Sequence, residues 1–488
     1  MSSKSSRNLI LVLAAVFSVG GYLIASSLKF RIGFPLDDAW IHQTYARNLA
    51  YWGEWAFWRG QVSGGSTAPL WSALLAIGYL LKISPFFWSF LLGGVLLWGL
   101  AEVGEGFLRK TVPEYHSTFP WVGVFLIGEW HLVWAAVSGM ETLLYALLIT
   151  TVLVLLATGK RNFLLFGMLI GLSLWVRPGG ITLLGPVVVV AVLSKGGGKQ
   201  IFRNLFGIAL GFGIFLSLYL FFNLSLTGTP WPNTFYAKQA EYALLRELAP
   251  LWKRFCAEIN LPLIGAGALL LPGIFVFGWR AFQRRDLGLL VGMLWFLGNA
   301  AIYAWKLPVI YQHGRYMMPA MPIFFLCGLG GTIQLIMEVR SERWGRVVAP
   351  AWSLSVLLVW IGFWVMGANA FAEDVAFIES EMVVTAQWVS EHIPPDALIA
   401  AHDIGALGYF DGRELVDLAG LVSPEVIPFV RDEIKLANYM DKRNIDYLIV
   451  FPSWYETLSE GLPLVYNTGG HFSPAIGGEN MIIYQWVR

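Results

Sequence analysis

The chain has 488 residues, of which 57% are apolar and 13% are charged, and its formal net charge is +1. Soluble domains average roughly 45–50% apolar and about 25% charged residues. The composition therefore indicates an integral membrane protein and excludes a soluble globule, a disordered chain and a disulfide scaffold. The near-neutral charge gives no electrostatic basis for binding nucleic acid.

Eleven apolar segments have the composition of membrane-spanning helices. The first follows Lys4 and Arg7 and is longer than the apolar part of a signal peptide, so it is predicted to be an uncleaved anchor. The eleven predicted segments are 8–28, 85–108, 119–137, 142–158, 163–176, 181–194, 203–223, 259–279, 287–305, 318–337 and 347–371. They predict an all-α multi-pass bundle.

Basic residues cluster in alternate loops, which sets the orientation because cytoplasmic loops are rich in Lys and Arg. The N-terminus is predicted inside and the C-terminus outside the cytoplasmic membrane. The apolar stretch 69–81 is too short to span, so it is predicted to lie at the outer interface within a first outer loop, 29–84. The basic residues used are Lys4, Arg7, Arg109, Lys110, Lys160, Arg161, Lys195, Lys199, Arg203, Arg280, Arg284, Arg285, Arg340, Arg343 and Arg346.

The C-terminal region, 372–488, has the composition of a soluble domain and follows the transmembrane module, 1–371. Helical patterns at 379–392 and 424–441 alternate with short apolar runs, which is typical of a small α/β domain. The predicted strands lie within 397–401, 415–420, 447–451, 462–466 and 481–487. The orientation above makes this domain extracytoplasmic.

Two adjacent carboxylates, Asp37 and Asp38, come directly after the first predicted span and before a helix-permissive stretch at 39–51. Asp38 alone is equally well explained as the N-cap of that helix. This explanation leaves Asp37 as a costly carboxylate at the membrane edge. Neighbouring side chains diverge at a helix start, so one aspartate can cap the helix while the other faces a cavity. Asp37 is therefore predicted to be a general base or a metal ligand, with Asp38 as the second catalytic candidate.

Two further motifs carry ionisable groups near the same predicted face. Ser138 and Glu141 have the spacing of a helix capping box, and Glu141 is also a candidate to face Asp37 across an outer cavity; the two interpretations are compatible. Arg177 interrupts two short apolar segments within the sequence Arg-Pro-Gly-Gly. A charged residue at membrane depth is a site candidate by default, and the alternative is an interfacial anchor.

Cations follow in the long outer loop and beside the tenth span. Lys238 ends the stretch Asn-Thr-Phe-Tyr-Ala-Lys, and His313, Arg315 and Tyr316 lie in His-Gly-Arg-Tyr. Contact with lipid head groups would explain each cation singly. Together with Arg177 they favour a fixed anionic ligand, because arginine forks match phosphate oxygens. The predicted substrate-binding residues are Glu141, Arg177, Lys238, His313, Arg315 and Tyr316.

Four other ionisable residues receive structural interpretations or remain open. Glu129 and His131 lie inside the third predicted span, where such groups are usually functional or paired. At positions i and i+2 of one helix they point to different faces and are not an obvious dyad, so they are interpreted as a relay or a packing pair. In the C-terminal domain, His402 and Asp403 have the pattern of a turn at the end of a strand, and we prefer that structural interpretation.

The motifs that carry a family resemblance are Asp37-Asp38-Ala39-Trp40-Ile41, Tyr45-Ala46-Arg47-Asn48-Leu49-Ala50, Pro69-Leu70-Trp71, Gly139-Met140-Glu141-Thr142, Arg177-Pro178, Asn233-Thr234-Phe235-Tyr236-Ala237-Lys238, and Arg315-Tyr316 with Pro319. In this order they resemble the GT-C glycosyltransferases, which are multi-pass enzymes that use polyprenyl-phosphate sugars. Within that clan the sequence is similar to the mycobacterial terminal arabinofuranosyltransferase group and to uncharacterised bacterial relatives. The likeness covers most of residues 8–325, and the double aspartate is its most specific part.

The resemblance implies transfer of one sugar from a polyprenyl-phosphate donor to an acceptor hydroxyl on a glycan, lipid or protein of the cell envelope, at the extracytoplasmic face. By position, the family's catalytic aspartate falls on Asp37, and its phosphate-facing cations fall on Arg177, Lys238 and Arg315. Some members of the clan use a divalent metal and others do not. The resemblance therefore leaves Mg²⁺ or Mn²⁺ binding open, with Asp37 and Asp38 as ligands in that case.

The chemistry of these residue types agrees with an inverting transfer. A sugar phosphate carries its own leaving group, so one carboxylate suffices to take the acceptor proton, and fixed cations stabilise the departing phosphate. The alternative is a transporter or flippase for lipid-linked saccharides, which would also use outer cations. Such a protein is expected to show matching interrupted spans in two halves, whereas this sequence has one interruption, at 176–181, without a matching partner.

Overall fold

The structure is a computed structural model that describes residues 3–113, 115–194 and 196–487. Lys195, one of the basic residues that predict the orientation, lies outside the described residues. The helices and strands up to the end of the long outer loop are α1 (Ser3–Lys29), α2 (Asp37–Trp52), β1 (Ala56–Trp58), β2 (Gln61–Val62), α3 (Pro69–Leu80), α4 (Pro85–Thr111), α5 (Trp121–Gly128), α6 (Trp130–Val137), α7 (Thr142–Ala157), α8 (Phe163–Leu174), α9 (Leu184–Leu193), α10 (Gly198–Thr227), α11 (Asn233–Glu241), α12 (Leu245–Leu248) and α13 (Leu251–Asn260).

The remaining elements complete the bundle and form the C-terminal domain. They are α14 (Leu271–Gln283), α15 (Leu287–Lys306), α16 (Tyr311–Gly314), α17 (Met321–Val339), α18 (Gly345–Ile378), α19 (Val384–His392), β3 (Ile399–Ala401), α20 (Gly405–Phe410), β4 (Leu415–Asp417), α21 (Glu433–Arg443), β5 (Tyr447–Val450), α22 (Glu456–Ser459), β6 (Leu464–Asn467), α23 (Phe472–Ala475) and β7 (Ile482–Gln485). Short 3₁₀ turns are Pro178–Leu183, Leu261–Leu263, Ala266–Leu270, Met318–Ala320, Pro424–Phe429 and Pro452–Trp454.

Apolar helices cover all eleven segments predicted to span the membrane, and they indicate a multi-pass membrane protein. Within the described residues, seven helical stretches are long and apolar enough to cross a bilayer by length and composition. Three further segments form the shorter apolar helices Thr142–Ala157, Phe163–Leu174 and Pro178–Leu193. The remaining segment is divided into α5 and α6 by Glu129, whose backbone is extended.

The stretch predicted to lie at the interface forms the separate helix α3, which begins with Pro69 at its first position. Its 12 residues give a length of about 18 Å, which is shorter than the roughly 30 Å apolar core of a bilayer. It packs against α2, and Trp71 Nε1 donates a hydrogen bond to the Gly139 carbonyl at 2.8 Å. The first outer loop therefore forms a folded cap of α2, α3 and the β1–β2 hairpin.

The C-terminal domain is a small α/β structure, as the sequence predicts. In the described part of the chain its sheet has the order β4-β3-β5-β7-β6. β3 pairs in parallel with β4 and β5, whereas β7 is antiparallel to both β5 and β6. The helix predicted over 424–441 is in fact a 3₁₀ turn followed by α21, because Asp432 caps a new helix and accepts a bond from the Lys435 amide.

A continuous helix joins the transmembrane module to the C-terminal domain. α18 runs past residue 372, the predicted start of the domain, and continues through a π-helical turn at Glu379–Val383 into α19. The C-terminal domain also packs directly on the first outer loop. Arg47 on α2 donates to the carbonyls of Tyr409 at 2.5 Å and Gly408 at 3.2 Å. These contacts bring the sheet over the outer end of the bundle.

Candidate functional site

Asp38 lies in the first turn of α2 and pairs with two cations from distant parts of the chain. Its Oδ2 accepts a hydrogen bond from Arg315 Nη2 at 2.8 Å and lies 3.4 Å from Lys238 Nζ. The interpretation of Asp38 as the helix cap is wrong, because Leu36 occupies the cap position and makes no side-chain capping hydrogen bond. Asp38 instead joins the cationic group that the sequence analysis assigned to an anionic ligand.

Asp37 connects the bundle to the C-terminal domain. Its two carboxylate oxygens accept hydrogen bonds from the backbone amides of Gly405 at 2.6 Å and Ala406 at 2.8 Å, at the start of α20. The approach requires glycine at 405, because a Cβ there would lie 2.0 Å from the Asp37 carbonyl oxygen and 2.8 Å from its Oδ2. One aspartate of the pair thus faces the cations, and the other holds the domain above them.

The two aspartates differ in proton affinity. Burial raises the pKa of Asp37 to about 6, with a smaller contribution from the negative charge of Asp38, although the amides of Gly405 and Ala406 oppose the rise. Burial would also raise the pKa of Asp38, but Lys238 and Arg315 outweigh it and hold that pKa well below its usual range. Asp37 is therefore the better proton acceptor near neutral pH.

Arg177 and Glu141 form a buried ion pair behind these residues. Arg177 Nε donates to Glu141 Oε1 at 2.6 Å, and Arg177 Nη2 donates to the Thr142 hydroxyl at 3.2 Å. His42 Nε2 lies 3.3 Å from the second Glu141 oxygen, and His42 Nδ1 lies 2.9 Å from the Ser72 hydroxyl. The pair fixes the guanidinium of Arg177 in one orientation.

The predicted capping box of α7 does not form. The Ser138 hydroxyl donates to the Ala135 carbonyl at 2.8 Å and accepts from the Met140 amide at 3.2 Å, so it closes the turn before α7. Glu141 occupies the cap position of α7 but makes no capping hydrogen bond there. Its carboxylate is turned to Arg177, which is the functional alternative that the sequence analysis kept open.

The ring of Tyr316 lies among three cations. The Arg315 guanidinium is 5.0 Å from the ring centroid, the Arg177 guanidinium is 5.5 Å from it, and Lys238 Nζ is 5.9 Å from it. Arg315 Nη2 also contacts the Tyr316 hydroxyl at 3.2 Å. A ring between cations lowers their mutual repulsion through cation–π attraction, so Tyr316 helps three positive groups share one small region.

These groups border a cavity of about 430 Å³, which we call the first cavity. Its charged and polar lining includes Asp38, His42, Glu141, Arg177, Lys238, Tyr303, Arg315 and Tyr316. The rest of its wall is mostly apolar. Ile181, Phe235 and Ile302 line it and are also exposed on the outside of the bundle. The first cavity thus opens between apolar side chains near the 3₁₀ turn after Arg177, α11 and α15.

Two buried guanidinium groups have unused donors beside the first cavity. Arg177 Nη1, Arg315 Nε and Arg315 Nη1 are buried and have no hydrogen-bond partner among the described residues. A buried donor without a partner costs about 1–3 kcal/mol. The arrangement is therefore suited to an anion that is absent from the protein itself.

A second cavity of about 330 Å³ lies between the bundle and the C-terminal domain. It shares Asp38, Lys238 and Arg315 with the first cavity, and Asp37 lines only the second. The C-terminal domain contributes His402, Asp403, Ile404, Ala419, Leu421 and Trp454 to its wall. The two cavities therefore meet at the ion pairs of Asp38.

Two sets of candidate residues lie apart from the cavities. His313, predicted to bind substrate, lines neither cavity; its Nε2 lies 2.8 Å from Asp374 Oδ2, and its ring stands edge-on to Trp130 and Trp134. Glu129 and His131 form a pair, with Oε1 and Nδ1 2.8 Å apart. Two residues at this spacing can meet because the helix breaks at Glu129 and the chain is extended there.

Two contributors to the site were missed or set aside by sequence reasoning. His42 follows Asp38 by four residues on α2, and this spacing on a predicted helix was a usable signal. Asp403 was assigned to a turn after a strand, and it does lie in such a turn, after β3. No local pattern indicated that this turn would lie over Asp37.

The described residues include no group of three or more His, Cys, Asp or Glu side chains placed to hold a metal ion. Asp38 is engaged by Arg315 and Lys238, and Asp37 is engaged by two amides. The two adjacent aspartates thus do not form a ready metal site. Their arrangement does not fit Mg²⁺ or Mn²⁺ as the sequence-based alternative would require.

The fold is similar to solved structures over nearly the whole chain. ArnT from Cupriavidus metallidurans in the apo state matches with a TM-score of 0.59 and 14% identity, over 98% of this chain and 97% of that chain. A structure of the same protein bound to undecaprenyl phosphate matches with a TM-score of 0.56 and 14% identity, over 97% of each chain. The Archaeoglobus fulgidus oligosaccharyltransferase in the apo form matches with a TM-score of 0.60 and 11% identity, over 91% of this chain and 69% of that chain.

A mutant of arabinofuranosyltransferase AftD from Mycobacteria matches with a TM-score of 0.51 and 14% identity, over 97% of this chain and 41% of that chain. All these proteins are GT-C glycosyltransferases. The chain has the GT-C fold. The resemblance carried by the sequence motifs is confirmed at the level of the fold, together with the GT-C type bundle and its small C-terminal α/β domain.

Comparisons of sequence add one match within the C-terminal part of this GT-C chain. Residues 374–484 match a family described as "Domain of unknown function (DUF8728)". No curated protein matches the chain. The matched region comprises the sheet of the C-terminal domain and the helix that enters it.

Proposed function

We propose that the protein is a membrane glycosyltransferase that moves one sugar from a polyprenyl-phosphate donor to an acceptor hydroxyl. The observation that carries the proposal is the set of unused guanidinium donors of Arg177 and Arg315 beside a largely apolar cavity. A phosphate with an apolar tail satisfies both features, since arginine binds phosphate oxygens in a planar fork. The solved ArnT structure with undecaprenyl phosphate supports a donor of this class.

The mouth of the first cavity supports a lipid donor over a soluble sugar nucleotide. Ile181, Phe235 and Ile302 form apolar edges that a polyprenyl chain can cover. These edges allow an apolar chain to pass between the cavity and the bilayer without entering water, whose contact with apolar surface is unfavourable by about 25 cal/mol per Å². The phosphate then lies inside the cavity at the cations, and the lipid chain leaves it toward the bilayer.

The proposed reaction breaks one bond and forms one. The acceptor oxygen attacks the anomeric carbon, the bond from that carbon to the phosphate oxygen breaks, and polyprenyl phosphate departs. Arg315, Arg177 and Lys238 stabilise the charge that develops on the phosphate. Direct displacement inverts the anomeric configuration, and the acceptor proton passes to a carboxylate on the opposite side of the sugar.

We propose that Asp37 is the carboxylate that accepts the proton of the acceptor hydroxyl. Its pKa of about 6 leaves it ionised at neutral pH while keeping appreciable affinity for a proton, as a general base requires. Asp38 is held strongly acidic by Lys238 and Arg315, so it is suited to positioning those cations. The amides of Gly405 and Ala406 fix the Asp37 carboxylate without occupying all of its lone pairs.

The reaction is proposed for the extracytoplasmic face of the cytoplasmic membrane. The alternation of basic loops supports this orientation, and it makes cell-envelope glycans, glycolipids or glycoproteins the acceptors in reach. Polysaccharide biosynthesis at the cell envelope is the corresponding biological role.

Binding of the donor's lipid phosphate tests the proposal without knowledge of the sugar. Purified full-length protein in detergent is titrated with undecaprenyl phosphate and, separately, with uncharged undecaprenol. We expect the phosphate to increase affinity at least tenfold. Arg315→Ala should weaken phosphate binding by about 2–5 kcal/mol, the range for a desolvated charge pair that loses one partner. Arg315→Lys should lose less, because charge is kept and the fork is lost.

The exposed Arg284, which lines neither cavity, supplies the matched control, and Arg284→Ala should bind like the wild type. Equal affinity for undecaprenol and undecaprenyl phosphate contradicts the donor assignment. Wild-type binding by Arg315→Lys and Arg315→Ala would make Arg315 an anchor only. Release of radiolabelled undecaprenyl phosphate from undecaprenyl-phosphate sugars then tests transfer itself.

A further inference from the structure

The second cavity lies at the carboxyl ends of three parallel strands. His402 and Asp403 follow β3, Ala419 and Leu421 follow β4, and Trp454 follows β5. These strands are parallel neighbours in the order β4-β3-β5. In open α/β sheets, ligands bind outside the carboxyl ends of the strands. The C-terminal domain therefore turns its ligand-binding edge toward Asp37 and Asp38.

Asp403 is an unused polar group at this edge. Its Oδ2 is buried and has no hydrogen-bond partner among the described residues. The turn that carries it is held on both sides: His402 Nδ1 lies 2.7 Å from the Tyr455 hydroxyl, and the amides of Gly405 and Ala406 bind Asp37. A turn held in this way places a buried carboxyl oxygen where it can form a hydrogen bond with a ligand.

We infer that the second cavity is the acceptor subsite and that Asp403 hydrogen-bonds an uncharged saccharide there. This inference rests on the proposed function and extends it to the acceptor. Trp454, half exposed at the same edge, offers an apolar ring face for a sugar, with the carboxyl groups of Asp37 and Asp403 as partners for hydroxyls. The wall of the second cavity combines such polar groups with apolar side chains, as small-ligand sites do.

The charges around the second cavity favour a neutral ligand. Burial, followed by the negative charges of Asp37 and Asp38, holds the pKa of Asp403 well above its usual range. This shift favours the protonated form of the carboxyl group, which can donate as well as accept a hydrogen bond. Once a donor phosphate engages Arg315 and Lys238, Asp37 and Asp38 remain as negative groups at the cavity, whereas Glu241 is paired with Arg431. An acidic saccharide would meet repulsion there.

The inference assigns a role to residues 374–484, the region that matches a domain of unknown function. Residues 374–484 would supply one wall of the acceptor subsite, whereas the bundle supplies the donor site and the base. The contact of Asp37 with α20 then aligns the base with the acceptor wall. The interface between the bundle and the C-terminal domain would then both bind the acceptor and align the base.

Saccharide binding to the full-length protein in detergent tests the inference. The probes are methyl α-D-mannopyranoside, methyl β-D-galactopyranoside and methyl α-D-arabinofuranoside, with methyl β-D-glucuronide as the acidic probe, measured by saturation-transfer difference NMR. We expect at least one neutral glycoside to bind about fivefold or more tightly than the glucuronide. Asp403→Leu should weaken that binding about fivefold, as expected for one lost hydrogen bond. Asp403→Asn should stay within about twofold, because an amide also donates and accepts.

Asp396→Leu removes an exposed carboxylate of the same domain and should change nothing. Undecaprenyl phosphate should bind wild type, Asp403→Leu and Asp403→Asn equally. The inference is overturned if no neutral glycoside binds in an Asp403-dependent way, or if the glucuronide binds as tightly as the neutral probes. The comparison of probes on the wild type needs no variant to fold. Loss of undecaprenyl phosphate binding by the wild type would instead contradict the proposed function.

Discussion

The first cavity and the second cavity share Asp38, Lys238 and Arg315, together with Ile41 and Leu421, and the rest of their walls differs. The first is built largely by the bundle, is mostly apolar, and contains guanidinium donors that have no partner among the described residues. The second is closed by the C-terminal domain and contains the carboxyl groups of Asp37 and Asp403. The lining of the first cavity thus suits an anionic group on an apolar molecule, and the lining of the second cavity suits hydroxyl groups.

The shared residues explain how both cavities exist side by side. Arg315 is buried and would be costly without a counter-charge, since an isolated buried charge is strongly unfavourable. Asp38 supplies that counter-charge while leaving two guanidinium nitrogens free. The ion pairs of Asp38 thereby hold Arg315 and Lys238 in position, where the proposed donor phosphate would bind.

The largest effect is expected from Asp37→Asn, and comparison with Asp38→Asn tests the different roles of the two aspartates. If Asp37 takes the acceptor proton, Asp37→Asn should lower turnover by about 10²–10⁴, the usual contribution of a general base. Asp38→Asn should have a smaller effect, because lipid phosphate can replace its charge at Arg315. Both variants are assayed for turnover and for undecaprenyl phosphate binding. Near wild-type turnover of Asp37→Asn, with loss in Asp38→Asn, would exchange the two roles.

Thermal melting in detergent is the control for that pair. Asp37 accepts two amide hydrogen bonds, and asparagine can accept through only one of its side-chain atoms. Some loss of stability in Asp37→Asn is therefore expected. Turnover is compared at a temperature where both variants are fully folded, so that loss of docking is separated from loss of the base.

A change of pH is expected to have a smaller effect on kcat/KM. The base must be ionised, so kcat/KM should be constant at pH 7 and above and should fall as the pH drops through about 6, the pKa of Asp37. At one pH unit below that value, the loss should be about tenfold. Asp38, whose pKa lies well below its usual range, and the cations Lys238 and Arg315, whose pKa values are raised by neighbouring negative and phenolic groups, keep their charges between pH 5 and 7. An acid limb well below pH 4 would favour Asp38 as the base.

The smallest expected effect comes from Gly405→Ala, which disturbs the second cavity alone. The added Cβ would clash with the Asp37 backbone, and such overpacking typically costs about 1–3 kcal/mol. We expect a lower melting temperature and reduced turnover, with undecaprenyl phosphate binding unchanged. Gly298→Ala, where a Cβ meets nothing within 4 Å, is the matched control. Weaker phosphate binding in Gly405→Ala would show that the cavities are not independent.

The fold was predictable because it depends on long, repeated signals. Apolar stretches located the helices, and five short apolar runs located the strands of the C-terminal sheet. The site was predictable in composition, since Arg177, Lys238, Arg315 and Tyr316 do border one cavity. For these residues, charge in an apolar context was itself the signal.

The partners of each site residue were not predictable in the same way. Asp38 pairs with a residue 277 positions away, and Asp37 pairs with one 368 positions away. Local rules supplied the nearest alternative, a helix cap, and tertiary contacts replaced it. The position of His313 was not predictable for a related reason: Asp374, on a helix distant in sequence, contacts it outside both cavities.

The helix from Gly345 to His392 has a consequence for how the C-terminal domain is held. Its 48 residues correspond to about 72 Å of continuous helix. A flexible tether would keep the domain near the bundle at a millimolar effective concentration. Each docking of the domain would then lose conformational entropy of the tether. A stiff helix removes most of that cost, because few orientations are lost when Asp37 meets α20. The wall that carries Asp403 is therefore held in place by the helix, and under the proposed function each acceptor would enter a preformed subsite.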